Sequence, residues 1–149
     1  MSFFKKLFGG KSDDKYNRDL SAFDDDVDVR EEADVFSAPN HSGLDFSDVT
    51  SIEQSRALAE EGRLFPIHLM PLEFGGQDIP LNILYVPPGV PEVKDQITAM
   101  IYKLANDGIV TNMTVKPSYK GNSLIPSRIY IETFSDANSG SFNPTIEIW

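Results

Sequence analysis

The chain has 149 residues, a net charge of −10 and no cysteine. One domain of ordinary size fits that length. The missing cysteines exclude disulfides, thiolate catalysis and Cys-ligated metals, and the negative charge opposes nonspecific nucleic-acid binding, which needs Lys and Arg to displace counterions.

The charge is uneven. Residues 1–11 carry three lysines and no acid, residues 12–62 carry a net −11, and residues 63–149 carry only −2. Nine of the 10 prolines follow Gly62, so a charged front gives way to a nearly neutral back that is rich enough in Ile, Leu, Val, Phe and Tyr to bury a modest core. The expected division is a cationic amphipathic tip (1–11), an acidic flexible arm (12–48) and a small folded domain (49–149).

In the tip, Phe4, Leu7 and Phe8 would share one face of about two helical turns, with Met1 above them and Lys5 and Lys6 elsewhere, before Gly9 and Gly10 break the turn; Phe3 is the fourth apolar side chain available for burial. Burying the four apolar side chains is worth roughly 6–10 kcal/mol. Ordering eight residues costs on the order of 10 kcal/mol. The balance is near zero, so residues Met1 to Phe8 would touch a membrane surface only weakly. That stretch is too short and too charged for a signal peptide, Ser2 excludes N-myristoylation, and no apolar run reaches the ~20 residues of a membrane span. A cytoplasmic location is expected, with the inner face of the membrane as the alternative.

The arm has no sustained period. Its acids, Asp24, Asp25, Asp26 and Asp28, are interleaved with short apolar beads that include Phe23, Val27, Val29, Val35 and Phe36. The Asp24, Asp26, Asp28 spacing imitates the start of a calcium loop, but Val29 occupies the position of the obligatory Gly and Val35 that of the bidentate Glu, so an EF-hand is rejected. Such a run most commonly solvates and spaces a chain without a specific ligand; the competing expectation is that it wraps a basic surface and folds on binding.

Thr50-Ser51-Ile52-Glu53 has the form of a capping box, with Thr50 as N-cap, opening a helix over 51–61 that Gly62 closes. Two strand-like runs follow, 64–74 and 79–86, with Gly75-Gly76-Gln77-Asp78 as the hairpin loop. Pro66, Pro71 and Pro80 imply edges or bulges. A Pro-rich connector leads to a helix over 91–107, whose apolar stripe is Val93, Ile97, Met100, Ile101 and Leu104. Strands are expected at 109–117, 125–134 and 145–149. The order strand, strand, helix, strand, strand, strand argues for an α+β fold, with one main helix packed on a small, mostly antiparallel sheet.

Catalytic signatures are missing from the sequence: no nucleophile elbow, no phosphate loop, no zinc-protease motif and no dinucleotide fingerprint. His41 lies in the arm. His68 lies in the first long strand run, where a catalytic reading would need a carboxylate such as Glu73, Glu132 or Glu147 and a pocket beside it; a half-buried His on a sheet is the simpler reading. The expectation is therefore a non-catalytic protein-binding protein with no cofactor and no metal, of the inhibitor or immunity type, that neutralises a basic protein partner and does not bind nucleic acid. Its partner-binding residues are expected to be Phe3, Phe4, Leu7, Phe8, Phe23, Asp24, Asp25, Asp26, Asp28 and Phe36. The alternatives are a peripheral membrane adaptor anchored by the tip and a structural subunit of a larger assembly.

Overall fold

The computed structural model describes residues 35–37, 43–136 and 141–149. The tip, most of the acidic arm, and with them Phe3, Phe4, Leu7, Phe8, Phe23, Asp24, Asp25, Asp26, Asp28 and His41, lie outside the described residues.

In chain order the elements are β1 (Val35–Ser37), α1 (Ile52–Glu60), β2 (Phe65–His68), β3 (Ile83–Val86), α2 (Val90–Asn106), β4 (Asn112–Tyr119), β5 (Pro126–Phe134) and β6 (Thr145–Glu147). One-turn 3-10 helices stand at Leu72–Phe74 and Pro80–Asn82. The fold is α+β, and the expected element order runs from β2 to β6. The strands divide into two sheets: β2 and β3 form an antiparallel ribbon of their own, and the other four are ordered β1-β6-β5-β4. β1, inside the stretch expected to be a tether, pairs in parallel with β6, in the register Val35 to Thr145 and Ser37 to Glu147.

β5 shows why the sheet has one dry face. Ser127, Ile129, Ile131 and Thr133 point into the protein, while Arg128, Tyr130, Glu132 and Phe134 point out. This two-residue alternation gives a half-buried antiparallel strand. α2 lies over β1 and β6. It contributes Val90, Ile97, Ile101, Leu104 and Ala105 to a core shared with Met113, Ile129, Ile131, Phe142 and Ile146. Val93 and Met100, placed on the stripe by sequence, flank this core and are half-buried.

A second, smaller cluster joins Phe46, Val49, Leu64 and Ile125, with Leu58 and Ala59 of α1 resting on it. Trp149 packs edge-on against Phe46 at 5.7 Å and donates its indole N–H to the Ile125 carbonyl at 3.1 Å.

Both helices stop in the same way. After α1, the Gly62 amide bonds the Ala59 carbonyl and the Arg63 amide bonds the Leu58 carbonyl. After α2, Gly108 and Ile109 repeat that pair of bonds to Ala105 and Leu104. Gly62 and Gly108 have φ of 77° and 76°, the left-handed conformation that this terminator requires.

The start of α1 corrects the sequence expectation by one residue. Ser51, not Thr50, is the N-cap, and Gln54, not Glu53, closes the box. Gln54 Oε1 accepts from the amides of both Thr50 (2.8 Å) and Ser51 (3.0 Å), which Glu53 in the Thr50 frame would not do.

The strands of the ribbon are much shorter than the runs 64–74 and 79–86. The three prolines explain this. Pro66 sits in β2, an edge strand, while Pro71 and Pro80 each start a 3-10 turn and so take residues 69–82 out of the ladder. The region expected to be a four-residue hairpin turn is a 14-residue structured loop.

Candidate functional site: a cleft between α2 and the residue 69–82 loop

The loop is held both by hydrogen bonds and by burial of Pro71 and Phe74. Pro71 opens a 3-10 turn in which the amides of Phe74 and Gly76 both donate to the Pro71 carbonyl at 3.0 Å. Phe74, fully buried, pins this turn into the main core. Gly76 is required by a close approach, since a Cβ there would lie 2.0 Å from the Met70 carbonyl oxygen. Asn82 closes the far end. Its amide oxygen accepts from the Met70 amide at 2.8 Å, and its NH2 donates to the carbonyls of Met70 and Gln77, each at 2.9 Å. The Leu69 amide adds a bond to the Asn82 carbonyl at 2.8 Å.

Between this loop and α2 lies a cleft of about 470 Å³. One wall is β2 and the loop: Ile67, His68, Pro71, Leu72 and Glu73. The other is the first three turns of α2: Pro91, Lys94, Asp95 and Thr98. A neighbouring depression of about 370 Å³ shares Glu73, Asp95 and Thr98 and continues to Ala99 and Tyr102. The groove therefore follows α2 from Pro91 to Tyr102, roughly 16 Å at the helical rise.

Lys94 is the unusual residue of this site. It stands on the buried stripe of α2, four residues after Val90 and three before Ile97, and is only 6% exposed. Among the described residues nothing hydrogen-bonds or ion-pairs with its ammonium. Burial pushes its pKa down from the ordinary 10.5 to about 8, and Asp95 and Glu73 oppose that shift from a distance. The ammonium is thus still protonated at neutral pH while stripped of most of its water. Glu73 and Asp95 are exposed on opposite walls of the cleft, and neither has an ion pair among the described residues.

At the other end, His68 Nε2 meets Asp78 Oδ1 at 2.9 Å. The carboxylate beside His68 is therefore not one of the three suggested by sequence. Glu147 pairs with Arg128 at 2.9 Å and Glu132 accepts from Thr114 at 3.4 Å, both on the outer face of the sheet. Glu73 lines the same cleft as His68. A His oriented by a carboxylate is the arrangement of a general base. Here, however, the Asp78 side chain is 73% exposed and the pair sits in solvent.

Of the partner-binding residues expected from sequence, Phe36 alone is described. It belongs to β1, is half-buried, and packs edge-on against Phe142 with centroids 6.5 Å apart. Sequence reasoning missed Lys94 and Asp95, and named Glu73 only as a possible partner of His68. The Val90-Lys94-Ile97-Ile101 spacing was the available signal for Lys94. Among the described residues no three His, Asp or Glu side chains come close enough together to hold a metal ion, and no helix is long and apolar enough to cross a membrane.

Comparisons with protein families, with curated proteins and with solved structures give no match. The chemistry of the site is therefore argued from its own residues.

Proposed function

We propose that this protein is a non-catalytic binding protein of the inhibitor type, whose partner is a basic protein. The observation that carries the reading is the rigid display of apolar side chains on the residue 69–82 loop. Leu72, Ile79 and Leu81 are 45%, 41% and 90% exposed, although the Asn82 bonds and the buried Phe74 hold their backbone in one conformation. Apolar side chains held out of the core on a fixed scaffold lose little entropy when a partner covers them, which favours a recognition surface. Charge selects the partner's sign. Glu73 and Asp95 edge the same loop and helix, and residues 12–62 carry −11.

The test uses the full chain, immobilised, against purified basic proteins of its own source at low and high salt. Retention of one such protein at low salt, weakened at high salt and lost in Leu81→Asp, is the expected result. Leu81 is almost fully exposed, so this substitution should change stability by no more than about 0.5 kcal/mol. Equal retention by wild type and Leu81→Asp would end the assignment of the loop, and retention of no basic protein at low salt would end the assignment of the partner.

A further inference from the structure

The cleft carries an assignment that does not depend on a protein partner. We infer that it is a binding site for a small zwitterion of the amino-acid type, whose carboxylate meets the Lys94 ammonium and whose ammonium lies between Glu73 and Asp95.

Three observations support this, each independent of the others. Lys94 is more than nine-tenths buried and lines the cleft, and among the described residues no side chain ion-pairs or hydrogen-bonds with its ammonium; Asp95 and Glu73 act on it only from a distance. A charge removed from water costs several kcal/mol unless something pairs with it. A ligand carboxylate supplies the missing partner, and the bond it forms is charge-assisted in a site with little competing water. The second observation is the opposite charge at the rim. Glu73 on the loop and Asp95 on α2 face the same space, so a simple anion entering to reach Lys94 would be repelled on the way. A molecule that also carries an ammonium meets attraction at both depths. The third is size. At about 470 Å³ the cleft lies within the ~300–1,000 Å³ range of small-molecule sites. Thr98, Ile67 and Leu72 also line the cleft and are available to a ligand side chain.

The walls are also fixed before any ligand arrives. Lys94 is on a 17-residue helix, and Glu73 is in a 3-10 turn anchored by Phe74. Preorganised walls of this kind spend little of the binding energy on ordering.

The experiment is titration of the full chain with the common L-amino acids, followed by calorimetry and ligand-observed NMR, with acetate and methylamine as single-charge controls. At least one amino acid should bind saturably, and both controls should bind more weakly by about tenfold or more. Lys94→Met should abolish binding. The double substitution Glu73→Gln with Asp95→Asn should weaken it by about 10- to 100-fold. Both rim residues are exposed, so this variant keeps the question open to test even if Lys94→Met fails to fold. No binding of any amino acid up to about 10 mM would overturn the proposal. Acetate binding as tightly as the best amino acid would also overturn it, as would binding that survives Lys94→Met or the rim variant unchanged. Leu81→Asp, which tests the protein partner, should leave amino-acid binding as it is, so the two readings can fail separately.

Discussion

The two walls of the cleft are ordered by different forces. α2 is held by burial: its inward stripe disappears into the core, and even a lysine on that stripe goes with it. The residue 69–82 loop is held largely by polar bonds, with Asn82 and the Pro71 carbonyl as its fasteners and the buried Pro71 and Phe74 as its anchors. The difference matters for recognition. An element ordered by burial has spent its apolar side chains on itself. An element ordered by hydrogen bonds keeps them available, which is why Leu72, Ile79 and Leu81 remain outside.

Substitutions that remove each force in turn would sharpen this contrast. The largest effect is expected at Ile97, which is fully buried on α2. Ile97→Ala should cost about 3–4 kcal/mol in denaturant unfolding, the sum of lost transfer energy and a residual cavity. A loss below about 1 kcal/mol would mean that α2 is not held by burial.

Lys94→Met comes next, with the opposite sign. The folded-state pKa of Lys94 lies below its ordinary value, so folding disfavours the proton. The penalty is therefore present in full below pH about 8 and is relieved as pH rises from there toward 10.5. Converting that shift gives roughly 3 kcal/mol. Lys94→Met should unfold at higher denaturant than wild type at pH 6–7, by up to about that amount, and the gap between the two should close in the alkaline range. A gap independent of pH would show that the ammonium is well solvated in the folded protein.

The smallest effect belongs to the loop. Asn82→Ala removes three side-chain hydrogen bonds and should cost about 2 kcal/mol. Amide exchange at 69–82 should accelerate strongly while the amides of β4 and β5 keep their protection. A uniform acceleration over the whole chain would mean that the loop and the sheet open as one unit.

Much of the fold was legible because its periods are clean. α2 follows from 3.6-residue spacing and β5 from two-residue alternation, and Gly62 and Gly108 mark the helix ends by chemistry that only a left-handed residue supplies. The N-cap slipped by one because Thr50/Glu53 and Ser51/Gln54 both fit the same local pattern. Only the geometry, in which Gln54 collects two amides, separates them. The shortness of β2 and β3 was partly visible in Pro66, Pro71 and Pro80, but the loop those prolines create depends on Asn82 reaching back 12 residues to Met70. β1 left no local signal, since three residues gain their strand character only from β6, more than a hundred positions away. Lys94 was passed over because a lysine counts as polar in any periodicity, and its burial is a tertiary effect. The cleft is tertiary throughout: Glu73 and Asp95 face each other only because a 3-10 turn and a helix were brought together.

The placement of Trp149 has a practical consequence. It is the only tryptophan in the chain. It is packed against Phe46, under the Lys120 ammonium at 4.7 Å, where the smaller cluster beside α1 meets the main core. Its fluorescence therefore reports on the corner where α1 and the Phe46 segment close over β5. Emission should change when that corner comes apart. The protein thus carries an optical probe of its own integrity at that corner.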